Sequence, residues 1–136
     1  MTGDGPASSV GCGDCYGDDP HAVWAYYRTG LETDRSLVEE SHFIVRLRRC
    51  RGCGQSYVWI FMESVDWRGG EDPQYRRVVP VTPAEAAALA DLGEDVAAGL
   101  GALGRGRRHL ATDWPSDAPE MTVYWTSVGF VAEAWG

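Results

Sequence analysis

Four cysteines fall as two pairs with the same internal gap, Cys12-Gly-Asp-Cys15 and Cys50-Arg-Gly-Cys53, and no cysteine is left over. A two-residue gap brings both sulfurs of a pair to one centre, because the chain must turn tightly between them. Gly13, Gly52 and Gly54 leave room for backbone N–H groups near the sulfurs. Two such pairs supply four thiolates, the tetrahedral set preferred by a structural zinc ion. The spacing therefore predicts one structural Zn2+ held by Cys12, Cys15, Cys50 and Cys53. A catalytic zinc keeps an open position for water, and four cysteines close the site. His21 and His42 could stand in for a sulfur, but nothing demands it. With His109 they read as surface or packing histidines.

Three other chemistries compete for the same residues. Disulfides need an oxidising compartment. The opening "MTGDGPASSVG" has neither a basic start nor an apolar stretch, so no export signal is expected and a reduced, cytoplasmic setting is. A thioredoxin-like redox pair needs a CxxC at a helix start within a strand–helix–strand unit. The second pair instead sits between two strand-like runs. Iron is the third alternative, since four thiolates hold it as well. The 34 residues between the pairs must fold back to close any such site.

The elements that would do this can be read along the chain. Residues 1–11, rich in Gly, Ser and Asp, read as a flexible lead-in to a single domain over 12–136. "DDPHAVWAYYRTG" reads as a short helix, with Asp19 as N-cap, Pro20 at the first position and Gly30 as the stop. "LETDRSLVEES" reads as a polar connection or one more helical turn. In "HFIVRLRRC", Phe43, Val45 and Leu47 alternate with Ile44, Arg46 and Arg48, which predicts a strand with one apolar and one Arg-bearing, solvated face. "QSYVWIFMESV" is apolar on both faces, as a central strand is. The second knuckle then becomes the turn of a hairpin.

"DWRGGEDPQ" reads as a loop and "YRRVVPV" as a third strand. Thr82, Pro83 and Glu85 form a capping-box helix start, and Leu89, Leu92, Val96, Leu100 and Leu103 recur at helical spacing. One main helix over about 83–103 is expected, with Gly93 a point where it could split. The Gly99–Gly104 spacing G-x-G-x-x-G follows a helix and not a strand, so it lacks the context of a dinucleotide site. "GRGRRHL" reads as a polar exit, "TDWPSDAPE" as a loop, and "MTVYWTSVGFVAEAW" as a last strand with Gly129 as a bulge. The fold class expected is α+β: a small antiparallel sheet, a zinc-ribbon-like hairpin and one main helix.

Composition narrows the function classes. With 136 residues, 44% hydrophobic and 24% charged, the chain is of ordinary globular make-up. No apolar run is long enough for a transmembrane helix, and no membrane partner is expected. The formal net charge is −8, and all 12 basic residues are Arg. Such a balance repels nucleic acid at long range, so any contact would have to be local. The local exception is Arg46, Arg48, Arg49 and Arg51 around the second knuckle, with Tyr57 and Trp59 nearby.

The paired knuckles, the second inside a hairpin, resemble a zinc ribbon over Cys12 to about Val65. That resemblance implies a metal and leaves the function open, because such ribbons serve in many roles. The double motif is also similar to small bacterial immunity proteins with two CXXCG knuckles. "CRGCG" fits that form, whereas "CGDCY" departs from it.

Two readings of function follow. The first is a non-enzymatic interaction protein, an inhibitor, immunity-type protein or adaptor. Its contact surface would be Trp67 ringed by Glu63, Asp66, Glu71 and Asp72, docking a basic protein partner. A solvated hairpin loop whose Trp covers the core edge fits the same residues. The second is a nucleic-acid-binding ribbon gripping phosphates with Arg46, Arg48, Arg49 and Arg51. No nucleophile–base pair, phosphate loop or metal-hydrolase motif points to an enzyme.

Overall fold

A computed structural model describes residues 10–63, 73–115 and 118–132. Its frame is a six-stranded antiparallel meander in which each strand pairs with its sequence neighbours: β1 (Leu31–Glu40), β2 (Phe43–Cys50), β3 (Ser56–Glu63), β4 (Gln74–Val81), β5 (His109–Trp114) and β6 (Thr122–Thr126). Helix α1 (Pro20–Gly30) precedes the sheet. Between β4 and β5 run α2 (Pro83–Leu92), a 3-10 turn (Gly93–Val96) and α3 (Ala97–Gly104). The α+β class and the antiparallel sheet are as expected.

Both faces of the sheet are covered, and β3 shows why its sequence is apolar throughout. Val58, Ile60 and Met62 enter a core with Val45, Val79, Leu89, Val96 and Leu100 beneath α2 and α3. Tyr57 and Trp59 point the other way, towards Val23, Tyr27, Cys15 and Cys50 on the α1 side. Val58 and Ile60 are fully buried, and burying one such side chain contributes about 1.5–3 kcal/mol.

The helix starts follow their signals. The Asp19 side chain accepts from the N–H groups of His21 and Ala22, and Thr82 and Glu85 close a reciprocal capping box. Gly93 does split the main helix. Its φ of +56° ends α2, and the 3-10 turn re-aims the chain into α3. Gly101 allows the later segment to cross α3 closely, since a Cβ there would stand 1.8 Å from the Phe130 carbonyl oxygen.

Three readings are corrected. "LETDRSLVEE" is the edge strand β1, not a connection. Register shifts between Thr33 and Arg35 and between Ser36 and Val38 break its alternation, which hid the strand period. Residues 109–114 form β5, not an exit and loop. His109, Leu110, Ala111 and Thr112 are all buried, so two polar residues sit where a strand pattern would show apolar ones. The last strand ends at Thr126, and Gly129 lies beyond it rather than in a bulge.

Candidate metal centre

The two knuckles meet at one end of the sheet. The β2–β3 connection carries Cys50 and Cys53, and the segment before α1 carries Cys12 and Cys15. The second knuckle closes on itself through Gly54 N–H to Cys50 O (2.9 Å) and Cys50 N–H to Gln55 O (2.9 Å). Gly54 has φ +82°, a conformation that side chains rarely adopt. In the first knuckle, Tyr16 N–H donates to Cys12 O at 2.8 Å.

The four sulfurs lie within 4.8 Å of one another. Cys12–Cys15, Cys12–Cys50 and Cys15–Cys53 are 3.8, 3.9 and 3.7 Å apart. A tetrahedral ion with metal–sulfur bonds of about 2.3 Å has sulfur–sulfur edges of about 3.8 Å. The four cysteines could therefore hold a metal ion. Cys15 and Cys50 are buried, Cys12 is intermediate and Cys53 is exposed.

Side chains from α1, β3 and the β2–β3 connection surround the cysteine cluster, as outer partners do in metal sites. Tyr57 of β3 donates from its hydroxyl to Cys15 Sγ at 3.1 Å, and Tyr27 of α1 donates to Cys15 O at 2.7 Å. Tyr26 lies 3.1 Å from Cys50 Sγ. Gln55 joins the knuckles: its Oε1 accepts from Gly11 N–H, and its Nε2 donates to Ser56 O and Val81 O. Gly11 is the residue that sequence reasoning missed. Its φ is +63°, and a Cβ there would stand 2.7 Å from Cys15 Sγ. The only signal was a glycine directly before the first cysteine.

Burial pushes the Cys15 thiol well above its usual range, against the Tyr57 hydrogen bond. At Cys50 burial also disfavours the thiolate. There the Tyr26 hydroxyl and the Cys53 and Gly52 backbone groups outweigh it and bring the pKa down to about 7. The hydrogen bond to Cys50, with burial, pushes Tyr26 up to about 12. The ligand set is thus unequal, with one sulfur readily ionised and one that a cation would have to deprotonate.

Arg108, from the approach to β5, locks the first knuckle down. Its guanidinium lies 4.1 Å from the Tyr16 ring centroid and 4.0 Å from that of Trp125. It donates to Tyr16 O at 2.6 Å, and the Tyr16 hydroxyl donates back to Arg108 O at 2.6 Å. Residues 92 apart in sequence thereby fix where Cys12 and Cys15 stand.

The four knuckle arginines do not form one patch. Arg46 pairs with Glu39 at 3.0 Å, and Arg49 with Asp34 at 3.3 Å on the opposite face. Arg48 is half-buried rather than solvated, donating to Leu31 O and lying 4.8 Å from the Trp59 centroid. Arg51 is exposed in the turn. Glu63 ends β3 and accepts from His42 Nδ1 and Gln74 Nε2, each at 2.9 Å. Trp67, Asp66, Glu71 and Asp72 lie outside the described residues. His109 is buried and donates from Nδ1 to Arg107 O.

Comparison with known protein families, curated proteins and solved structures finds no match for this chain. Among the described residues, no helix is long and apolar enough to cross a membrane.

Proposed function

We propose that this chain is a non-enzymatic interaction protein, of the inhibitor, immunity or adaptor kind, built around one structural zinc ion bound by Cys12, Cys15, Cys50 and Cys53. The observation that carries the metal is the meeting of all four sulfurs within 4.8 Å, with three of the six sulfur–sulfur edges at 3.7–3.9 Å, near the edge length of a four-sulfur tetrahedron. Four sulfurs leave no position for water or substrate, which supports a scaffold rather than a reaction centre. Support for a protein partner over nucleic acid comes from Arg46 and Arg49, which already hold carboxylates of β1.

Elemental analysis of the purified protein tests the metal, and one zinc per chain is expected. One iron per chain would assign the same ligands to a redox centre instead. Passing the tagged, zinc-loaded protein through lysate at low and high salt tests the partner class. Retention of a single protein is expected, whereas nucleic acid retained at low salt and lost at high salt would overturn that part of the reading.

A further inference from the structure

The α1 side of the sheet carries a second cluster that the cysteine site does not use. Trp59 and Phe61 stand two residues apart on β3 and so share this face. Arg46 and Arg48 of β2 and Arg76 of β4 flank them in register. Trp24 of α1 stacks on Trp59, with ring centroids 5.6 Å apart and 21° between planes. The Arg48 guanidinium lies 4.8 Å from the Trp59 centroid. That of Arg76 lies 4.8 Å from Phe61 and 5.7 Å from Trp24. All of these side chains are partly exposed.

Arg46 is held by Glu39, but neither Arg48 nor Arg76 is in an ion pair among the described residues. Arg48 gives one N–H to Leu31 O. Arg76 makes a single long contact, 4.0 Å to Met121 Sδ. In a chain of net charge −8, two guanidinium groups are thus braced by rings and, among the described residues, held in no ion pair, with the Glu63 carboxylate a more distant neighbour of Arg76.

The bracing selects the kind of anion. A guanidinium laid over a ring keeps its N–H groups around its rim, where they match a carboxylate two at a time. Nucleobases need free ring faces for stacking. Here Trp59 is engaged by Trp24 and Arg48, and Phe61 by Arg76. Trp and Arg are also the residue types that dominate protein–protein contacts energetically.

We infer that this face docks an acidic segment of a partner protein, whose carboxylates pair with Arg48 and Arg76 on either side of the Trp24–Trp59 stack. The inference names a partner chemistry for the interaction role proposed above and rests on that role. It reverses the sign expected from the acidic loop around Trp67, since the occupant here is acidic and not basic.

The test uses the zinc-loaded protein and a fluorescein-labelled ten-residue peptide of alternating Glu and Leu, with a ten-nucleotide single-stranded DNA as competitor class. Fluorescence anisotropy should show peptide binding that weakens as salt rises from 50 to 200 mM, a concentration range that screens exposed charges. Arg48→Gln and Arg76→Gln should each weaken it at least tenfold, while Arg35→Gln, on exposed β1 surface, should leave it unchanged. Because Arg76→Gln could loosen the ring cluster, Arg76→Lys is measured as well. It keeps the charge, loses the planar fork and should fall between parent and Gln. Failure to bind the peptide, variants that bind like the parent, or preference for the DNA would each overturn the inference. Metal content is determined on the same samples. A one-zinc protein that ignores the peptide therefore refutes this surface without touching the metal assignment.

Discussion

Replacing Cys50 by Ser is the sharpest test of the metal centre, because two explanations of its burial predict different sizes of effect. As a mere core residue, Cys50 would leave a near-isosteric hydroxyl in a buried place, at a cost of about 1–2 kcal/mol. As a ligand, it takes the ion with it. With free zinc at about a thousandfold excess over its dissociation constant, the bound ion contributes about 4 kcal/mol by mass action. In a domain of this size that corresponds to about 14 °C in Tm. The chain should still fold without metal, since the core under α2 and α3 contains no cysteine. Thermal unfolding followed by circular dichroism, with and without a chelator, separates the cases. The parent should lose about 14 °C on chelation, and Cys50→Ser should melt at or somewhat below the chelated parent and not respond further. A parent Tm indifferent to chelator, or a variant that keeps one zinc per chain at the parental Tm, would refute the assignment.

Other substitutions follow from the same geometry. Arg108→Ala removes two ring contacts and the bond to Tyr16 O, and should cost about 2–4 kcal/mol in urea unfolding. Arg108→Lys should recover less than half of that. Glu85 is held down to about 2, chiefly by its hydrogen bond from Arg107. Its folded pKa lies below the unfolded one, so its contribution is present above about pH 4.5 and lost as pH falls towards 2. Glu85→Gln keeps the capping box but should flatten the stability–pH curve across that window. Gly101→Ala must displace the Phe130 carbonyl and should destabilise by at least about 2 kcal/mol, while Gly99→Ala, with open space around its Cβ, should stabilise α3 by about 0.5–1 kcal/mol. Paired Tm measurements on these two variants check the crossing of α3 directly.

Elements whose local signals agree with their surroundings could be read in advance. Helix α1 carries Asp19 and Pro20 at its start, α2 carries a capping box, and β2 alternates cleanly because its two faces differ. The cysteine cluster was legible for a similar reason: CxxC spacing is a local property, and only the closure of the 34-residue gap depended on tertiary structure. What escaped was set by neighbours distant in sequence. Strand β1 hides behind two register shifts forced by its pairing with β2. Strand β5 buries His109 and Thr112 because layers on both sides cover it. The paired roles of Tyr16 and Arg108 span 92 positions, and no periodicity reports such a contact. Gly11 looked like lead-in, although its backbone closes against Cys15.

The wiring of the sheet has a kinetic consequence. Every strand pairs with the one before it, and β1 and β2 are joined by only Ser41 and His42. The β1–β2 and β2–β3 hairpins can zip up from nearby residues at small loop-closure cost, whereas β4 and β5 must close across α2 and α3. The cysteine cluster needs partners 38 residues apart, a separation like that of the β4–β5 pairing, and the Tyr16–Arg108 lock needs partners 92 apart. An ion that binds only once both knuckles have met would act late in folding. Its stabilisation would then appear as slower opening rather than faster folding, a latch on the lifetime of the native state.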